Sequence, residues 1–243
     1  MLKVHSIETF GTHDGPGIRL IIFLQGCNFK CLYCHNPDTQ SLKNNKAIEM
    51  PTDEILEKLE KQKPYFKDKG GLTVSGGEPT LQAEELLKVF KRVKAKGFHI
   101  ALDTNGGVYN ETINKLYDLT DLIMLDVKHI DPEWHKKITG VANENVLKNA
   151  AYREKSKKPM WLRYVLVPGW SDQKEYLEQW AEHFKNYKYI EQVEILPYHT
   201  LGVHKYKELG LRYQLNNVEP PNEEEIKKAE KIFKQYFDKV VVR

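Results

Sequence analysis

The sequence predicts an α/β protein with parallel strands, and three observations carry the prediction. Short apolar runs alternate with amphipathic helical stripes through most of the chain, the pattern of consecutive βα units. Polar clusters follow these runs one after another, at the strand ends where parallel α/β folds gather ligands and catalytic groups. The length, 243 residues, suits one α/β domain and requires no second core, so residues 1–243 are expected to form a single domain. Six clear strand candidates predict six units rather than eight. Periodicity leaves an incomplete barrel and an open sheet both standing.

Residues 4–19 contain ETFGTHDGPGIR, whose Gly11, Gly15, Pro16 and Gly17 fit a turn that places the first strand, residues 18–24. A polar stretch over 38–50 reads as a surface connection. Thr52 is the expected N-cap of a helix with Asp53 and Glu54 in its first turn and Ile55, Leu56 and Leu59 on one face. The second strand, 72–74, leads into SGGEP. Ala83, Leu86, Leu87, Phe90 and Val93 then trace a helical stripe closed by Gly97. The third strand, 98–102, leads into DTNGG, and the fourth, 122–127, carries Asp126 near its end and Lys128 just beyond. The fifth, 161–167, contains Arg163 and precedes PGWSD, where Ser171 is the expected cap of a helix burying Leu177, Trp180, Ala181 and Phe184. The sixth, 193–196, leads into PYH. Asn222 and Glu225 form a capping box for a last helix with Ile226, Ala229, Ile232, Phe233 and Tyr236 on its apolar side, and Val240–Val242 reads as an extended tail.

All three cysteines lie in GCNFKCLYCHN, residues 26–36, as Cys27, Cys31 and Cys34 in the spacing CxxxCxxC. Three thiolates cannot close a four-thiolate site, so a metal held here keeps an open position. Thiolates suit zinc and iron–sulfur clusters alike. Spacing alone leaves open free thiols, a zinc site completed by His35, and a four-iron, four-sulfur cube anchored through three irons. An odd number of clustered cysteines argues against a disulfide framework.

Taken singly, the other polar residues have plain readings. The paired glycines of SGGE, residues 75–78, make a tight turn or let backbone approach a ligand closely, and Glu78 caps a helix or meets that ligand. Asp103 fits a hydrogen-bonded turn and Met124 fits core packing, while Lys128, Arg163 and His199 fit ordinary surface or core polar groups. Position sets them apart, because the clusters sit at or just after predicted strand ends and Arg163 lies within a strand. Arg163 offers planar recognition of a carboxylate.

The run GIRLIIFLQGCNFKCLYCHN, with Gly17, Arg19, Phe23, Gly26, the three cysteines, Tyr33 before the last of them and Asn36, resembles the radical S-adenosylmethionine (SAM) enzymes. Within them it is most similar to the activating enzymes of glycyl-radical systems, in the branch that acts on pyruvate formate-lyase, and the likeness covers nearly the whole chain. The resemblance implies a partial (βα)6 barrel and one 4Fe-4S cluster on Cys27, Cys31 and Cys34, its fourth iron open to SAM. It implies that Tyr33, Asn36, Ser75, Gly76, Gly77, Glu78, Asp103, Asp126, Lys128, Arg163 and His199 line the SAM site, with Gly76, Gly77 and Glu78 at the methionine amino group. Asp103, Thr104, Met124 and Asp126 are implied to surround a monovalent cation, sodium or potassium, without which two adjacent carboxylates would repel. Asp14 is implied to contact an arginine in the partner's glycyl loop. No catalytic side chain is implied beyond the cluster and the bound cofactor.

The implied activity is that of an oxidoreductase. Strongly reducing electrons from a flavodoxin or ferredoxin-like donor cleave SAM to methionine and a 5′-deoxyadenosyl radical. That radical takes a Cα hydrogen from a glycine in the glycyl-radical domain of pyruvate formate-lyase (formate acetyltransferase). The signature before Cys27 separates the chain from 7-carboxy-7-deazaguanine synthases of the same superfamily. The lack of further cysteine clusters before SGGE separates it from activases of glycerol dehydratase type, and its downstream motifs from the shorter anaerobic ribonucleotide reductase activases.

Composition narrows the partners. Hydrophobic residues at 40% and charged residues at 29% are those of a globular protein. The net charge of +3 comes from 37 basic and 34 acidic side chains with the signs interspersed, which is no nucleic-acid footprint. The N-terminus lacks the apolar core of a signal peptide and no apolar run is long enough to cross a bilayer, so no membrane is expected and the cytoplasm is. No self-complementary apolar stripe is left over, which predicts a monomer.

Overall fold

The computed structural model describes residues 1–43 and 47–243, in two compact units: residues 1–28 with 39–124, and residues 29–38 with 125–243. The first unit runs through β1 (Leu2–Gly11), β2 (Arg19–Leu24), β3 (Ile48–Met50), α1 (Thr52–Phe66), β4 (Gly71–Gly76), α2 (Ala83–Ala95), β5 (His99–Thr104) and α3 (Glu111–Leu119). β6 (Leu122–Asp126) carries the chain onward. The second unit contains α4 (Pro132–Thr139), α5 (Glu144–Lys155), β7 (Met160–Leu166), α6 (Lys174–Phe184), β8 (Ile190–Pro197), α7 (Val203–Glu208), α8 (Glu223–Phe233) and β9 (Val240–Val242).

In the first unit β2, β4 and β5 pair parallel, Arg19 opposite Gly71 and Gly71 opposite His99. Strand periodicity then sorts their side chains. Leu20, Ile22, Leu24, Leu72, Val74, Ile100 and Leu102 are fully buried, alternating with Arg19, Thr73, Ser75, His99 and Asp103 on the other face. α1 contributes Ile55, Leu56, Leu59 and Phe66 to the core, and α2 contributes Leu86, Val89, Phe90 and Val93. Each such side chain, removed from water, is worth roughly 1.5–3 kcal/mol. On α2 it is Val89 that is buried, while Leu87 on the expected stripe is half-buried.

The polar face is pinned by Arg19. Its Nε donates to Thr73 Oγ1 at 2.9 Å and its Nη1 to the Lys69 carbonyl at 3.0 Å, while Nη2 donates to the Leu72 carbonyl. Burial pulls this guanidinium down to about 9. Residues 4–19 are not all turn: β1 pairs antiparallel with β2 and with β3, giving the order β3-β1-β2-β4-β5. Only Leu2, Val4 and Gly11 of β1 are buried, too little alternation to read as a strand. The expected surface connection over 38–50 contains β3, and its residues 44–46 lie outside the described residues.

In the second unit β7, β8 and β9 pair parallel. α6 buries Leu177, Trp180, Ala181 and Phe184 as its periodicity predicts, and α8 buries Ala229, Ile232 and Phe233. Trp180 is the hub: its ring lies 4.9 Å from Phe233, 4.9 Å from Phe184 and 5.6 Å from Tyr164. Its Nε1 donates to the Val127 carbonyl at 3.1 Å, so the aromatic core holds the chain between Asp126 and Lys128.

The helix ends follow local chemistry, with two corrections. Lys96 caps α2, the Gly97 amide bonds the Lys94 carbonyl and the Phe98 amide the Val93 carbonyl, a Schellman closure with Gly97 at φ +77°. Asn222 and Glu225 form the capping box of α8. Thr52 is the first residue of α1 rather than its cap, which is Pro51 without a side-chain bond. Ser171 does not cap α6, which starts at Lys174. Instead its Oγ accepts from the Val167 amide and donates to the Val165 carbonyl, folding the PGWSD turn back onto β7. Among the described residues no helix is long and apolar enough to cross a membrane.

Candidate active site

In the first unit the SGGE turn is zipped to the start of the cysteine loop. The Gly77 amide donates to the Leu24 carbonyl at 2.9 Å and the Glu78 amide to the Gly26 carbonyl at 2.7 Å. A Cβ at Gly76 would lie 2.3 Å from the Leu24 nitrogen, and one at Gly77 would lie 2.2 Å from the Gly26 oxygen. The glycine pair is therefore required by the backbone that delivers Cys27, an approach no other residue permits.

Glu78 is fully buried and both its oxygens are bonded. Oε1 accepts from the Thr80 amide at 2.9 Å, Thr80 Oγ1 at 2.5 Å and Thr104 Oγ1 at 2.7 Å, and Oε2 accepts from the Asn105 amide at 2.7 Å. Burial raises its pKa while these four donors oppose the rise. The carboxylate thus fixes the DTN turn to the SGGE turn, and Oε2, with one donor, keeps acceptor capacity. Asn105 Nδ2 reaches Cys27 Sγ at 3.6 Å and Asn28 Oδ1 at 3.0 Å. Ser75 donates to Asp103 Oδ2 at 2.7 Å, and on the same face the Asp14 carbonyl accepts from Thr73 Oγ1 at 2.7 Å. Met124, also in this unit, is fully buried. The structure thus brings together Cys27, Ser75, Gly76, Gly77, Glu78, Asp103 and Thr104.

In the second unit the rest of the cysteine loop lies on α4. The Lys30 amide donates to the Thr139 carbonyl at 2.7 Å and the Leu32 amide to the Ile138 carbonyl at 2.9 Å, which satisfies two open carbonyls at the helix end. Phe29 packs edge-on against His135, ring centres 5.5 Å apart. Tyr33 sits in an apolar cluster with Ile138, Val167, Tyr198 and Tyr206, and its buried hydroxyl has no bonding partner. Burial pushes the Tyr33 hydroxyl far up, away from ionisation. Lys128 Nζ lies 5.6 Å from the Tyr33 ring centre and 2.9 Å from Asp126 Oδ2. Burial pulls the Lys128 ammonium down, but Asp126, Tyr33 and Cys31 outweigh it and hold its pKa well above the usual lysine value.

Three predicted residues have partners of their own in this unit. Arg163 Nε donates to Glu194 Oε2 at 2.7 Å, and Arg243 and Gln192 bond the other oxygen of that fully buried carboxylate. His199 is exposed and its ring stacks on His35 at 3.9 Å, with His35 Nε2 at 3.0 Å from the His199 carbonyl. Asn36 accepts from Lys205 Nζ at 2.7 Å. Glu194, Thr80 and Asn105 are the residues that sequence reasoning left unassigned. Glu194 and Asn105 act through neighbours brought close by folding and Thr80 through Glu78, two residues away; only Asn105, inside DTNGG, lies in one of the polar clusters at the strand ends.

The thiols fit an iron–sulfur centre. None of the three is in a disulfide and all are half-exposed, the donor set is purely soft, and Cys27 receives an amide N–H.

Comparison with known proteins is decisive. The radical SAM superfamily pattern matches residues 21–183. The pyruvate formate-lyase-activating enzyme of Staphylococcus epidermidis is 50% identical over 238 residues, 94% of each chain. The chain belongs to the radical SAM superfamily, in the pyruvate formate-lyase-activating enzyme family. Solved structures agree in fold. A domain of the pyruvate-formate lyase-activating enzyme from Bacteroides vulgatus superposes with a TM-score of 0.61 at 27% identity, covering 72% of this chain and 99% of that one. Streptococcus suis SuiB, bound to its precursor peptide SuiA, superposes at 0.69 with 15% identity, over 93% of this chain and 48% of that one. This radical SAM protein has the mostly parallel partial-barrel fold of these neighbours, and its cofactors are a 4Fe-4S cluster on three cysteines, present as Cys27, Cys31 and Cys34, and SAM.

Proposed function

We propose that the protein activates pyruvate formate-lyase by installing a glycyl radical in it. When bound, the cluster and SAM supply the chemistry: one electron breaks the sulfur to C5′ bond, giving methionine and a 5′-deoxyadenosyl radical that takes a Cα hydrogen from the partner's glycine. The protein's own residues bind, orient and exclude competing hydrogen donors.

Cys27, Cys31 and Cys34 hold three irons as thiolates and leave the fourth for the cofactor. Gly76, Gly77 and the spare acceptor capacity of Glu78 receive the methionine ammonium, with Ser75 beside them. Asp103, Thr104, Met124 and Asp126 take a monovalent cation, sodium or potassium, near the carboxylate. Lys128, Arg163 and His199 meet the carboxylate, ribose or sulfonium region of the cofactor, and Tyr33 and Asn36 complete the lining. Arg163, held by Glu194 through its Nε, contributes a positive charge on the cofactor's side of its strand. Asp14, on the Ser75–Asp103 face, receives the partner's arginine. Residues 1–243 act as one radical SAM domain, monomeric and cytoplasmic, supplied by a flavodoxin or ferredoxin-like donor.

The observation that carries this reading is the zipping of the SGGE turn onto the cysteine loop, Gly77 to Leu24 and Glu78 to Gly26, in a chain half identical to a named activating enzyme. Anaerobic electron paramagnetic resonance on reconstituted, reduced protein with SAM and pyruvate formate-lyase tests it. The expected result is a glycyl-radical doublet with 5′-deoxyadenosine, both lost in Cys31→Ala. Cofactor cleavage without the doublet would assign another substrate, and absence of any cluster signal would return the thiols to zinc.

A further inference from the structure

One exposed surface of the second unit is not used by the chemistry above. α7 is lashed to the end of the cysteine loop: Tyr206 Oη donates to the Cys34 carbonyl at 3.0 Å, and Lys205 Nζ donates to Asn36 and lies 3.5 Å from Asp38 Oδ1. A Cβ at Gly202 would lie 2.7 Å from His35 Cα, so backbone meets loop with no room for a side chain.

The solvent side of the same segment is apolar and basic. Leu201 is 77% exposed, Leu209 46% and Leu211 49%, with His204, Lys207 and Arg212 exposed among them. From 201 to 212 the Lys205 ammonium is taken up by Asn36 and Asp38, which leaves Lys207 and Arg212 against Glu208, two positive to one negative, in a chain whose totals are nearly balanced. Single exposed leucines are ordinary, but three in one short segment, interleaved in sequence with exposed basic side chains, mark a candidate contact surface.

We propose that this surface docks the protein that delivers the electron, a small acidic one-electron carrier. The inference rests on the reading that Cys34 holds the cluster. The carrier gives up one electron, the cluster gains it, and no bond forms or breaks. Electron tunnelling falls steeply with distance, so a carrier must sit close to the ligand set. Through Tyr206, this patch is one hydrogen bond from the backbone of a ligand. A delivery partner must also leave after each transfer, which suits a small interface steered by charge rather than an extensive apolar one. Positive charge around exposed leucines selects an acidic partner with an apolar centre.

The test uses the cluster-loaded protein with Lys207→Glu/Arg212→Glu, Leu209→Ser/Leu211→Ser and the milder Lys207→Gln. All these positions are exposed and none is placed at the SAM site. Cluster reduction is followed anaerobically by stopped-flow absorbance with reduced flavodoxin, or a reduced acidic ferredoxin, and separately with dithionite. The charge reversal is expected to slow carrier-driven reduction about tenfold or more and to flatten its dependence on salt. The leucine variant should weaken carrier binding, Lys207→Gln should fall between wild type and the reversal, and dithionite-driven reduction should be unchanged throughout. Carrier-driven reduction at the wild-type rate in both double variants would overturn the proposal. So would variants that keep carrier-driven reduction but lose glycyl-radical formation on pyruvate formate-lyase under dithionite, which would assign the patch to that partner. Failure of dithionite to reduce even the wild-type protein would remove the cluster reading itself, a different result from either.

Discussion

Glu78 shows how much one buried carboxylate can organise. Four donors from Thr80, Thr104 and Asn105 converge on it, and through Asn105 it is linked to Cys27. Glu78→Ala leaves those donors unpaired in a dry pocket, at an expected cost of about 3–5 kcal/mol. Glu78→Gln keeps the shape but turns an acceptor into a donor facing donors, and should lose a smaller part of that stability. Urea unfolding of the two variants measures both, and Glu78→Ala at wild-type stability would contradict the role. Loss of stability should be accompanied by weaker SAM binding in both variants, since the same carboxylate is proposed to meet the cofactor. The cysteine motif was legible because its spacing is local in sequence, and SGGE and DTNGG because each follows an apolar run. That Thr104 and Asn105 are partners of Glu78 was not legible, nor was the claim of Glu194 on Arg163, since both depend on strands laid side by side by folding.

At the scale of elements, α4 acts as the shelf for the cysteine loop. Its last carbonyls, on Ile138 and Thr139, are taken by the Leu32 and Lys30 amides on either side of Cys31, and Phe29, 1% exposed, is wedged against His135. Phe29→Ala should cost roughly 3–5 kcal/mol by removing a buried ring and should free the loop, so that reconstituted protein loses iron to a chelator faster than wild type. Gly140→Ala makes a control. Gly140 closes α4 at φ +84°, and an added Cβ meets only Lys30 Cβ at 3.9 Å, so the variant should lose about 1 kcal/mol with iron retention unchanged. Equal iron retention in Phe29→Ala and wild type would remove the shelf. Periodicity made β2, β4 to β8, α6 and α8 readable, because each buries one clear face. It missed β1, whose middle is half-buried on both sides, and β3, three residues long with only Met50 buried. It also misjudged Ser171, a residue type that caps helices and folds turns with the same hydroxyl.

For the molecule as a whole, histidine burial sets the response to acid. Burial lowers the pKa of His35, His129 and His183, and lowers His99 and His135 to about 4, with Arg19 adding to the effect at His99 and Lys128 and His129 at His135. A histidine whose pKa falls on folding binds fewer protons in the native state than in the unfolded one. Stability therefore rises with pH across the window between the folded value and the ordinary value near 6.5, and is lost as pH falls through it. Glu78 acts in the opposite sense, since its raised pKa makes stability fall as pH rises above the ordinary carboxylate range. Asp121, held below the ordinary carboxylate value against its burial by Lys94, the Ile100 amide and His99, acts with the five histidines and against Glu78, so the net slope is positive. Cluster-free protein should accordingly lose stability steadily from pH 6.5 towards pH 4, seen as a falling urea midpoint at constant slope m. The two deepest shifts can be separated by unit, because His99 lies in the first and His135 in the second. His135 bonds the Val141 carbonyl and Thr139 in α4, whereas His99 lies 3.3 Å from Arg19 Nη1. His99→Asn should flatten the acid limb by removing the group that must charge beside Arg19, and His135→Gln should flatten it independently. The double variant should show the sum, since the two rings have no hydrogen-bond partner in common. A wild-type midpoint that stays level from pH 6.5 to 4.5, or variants with the wild-type slope, would mean that these rings titrate as freely in the folded chain as in the unfolded one.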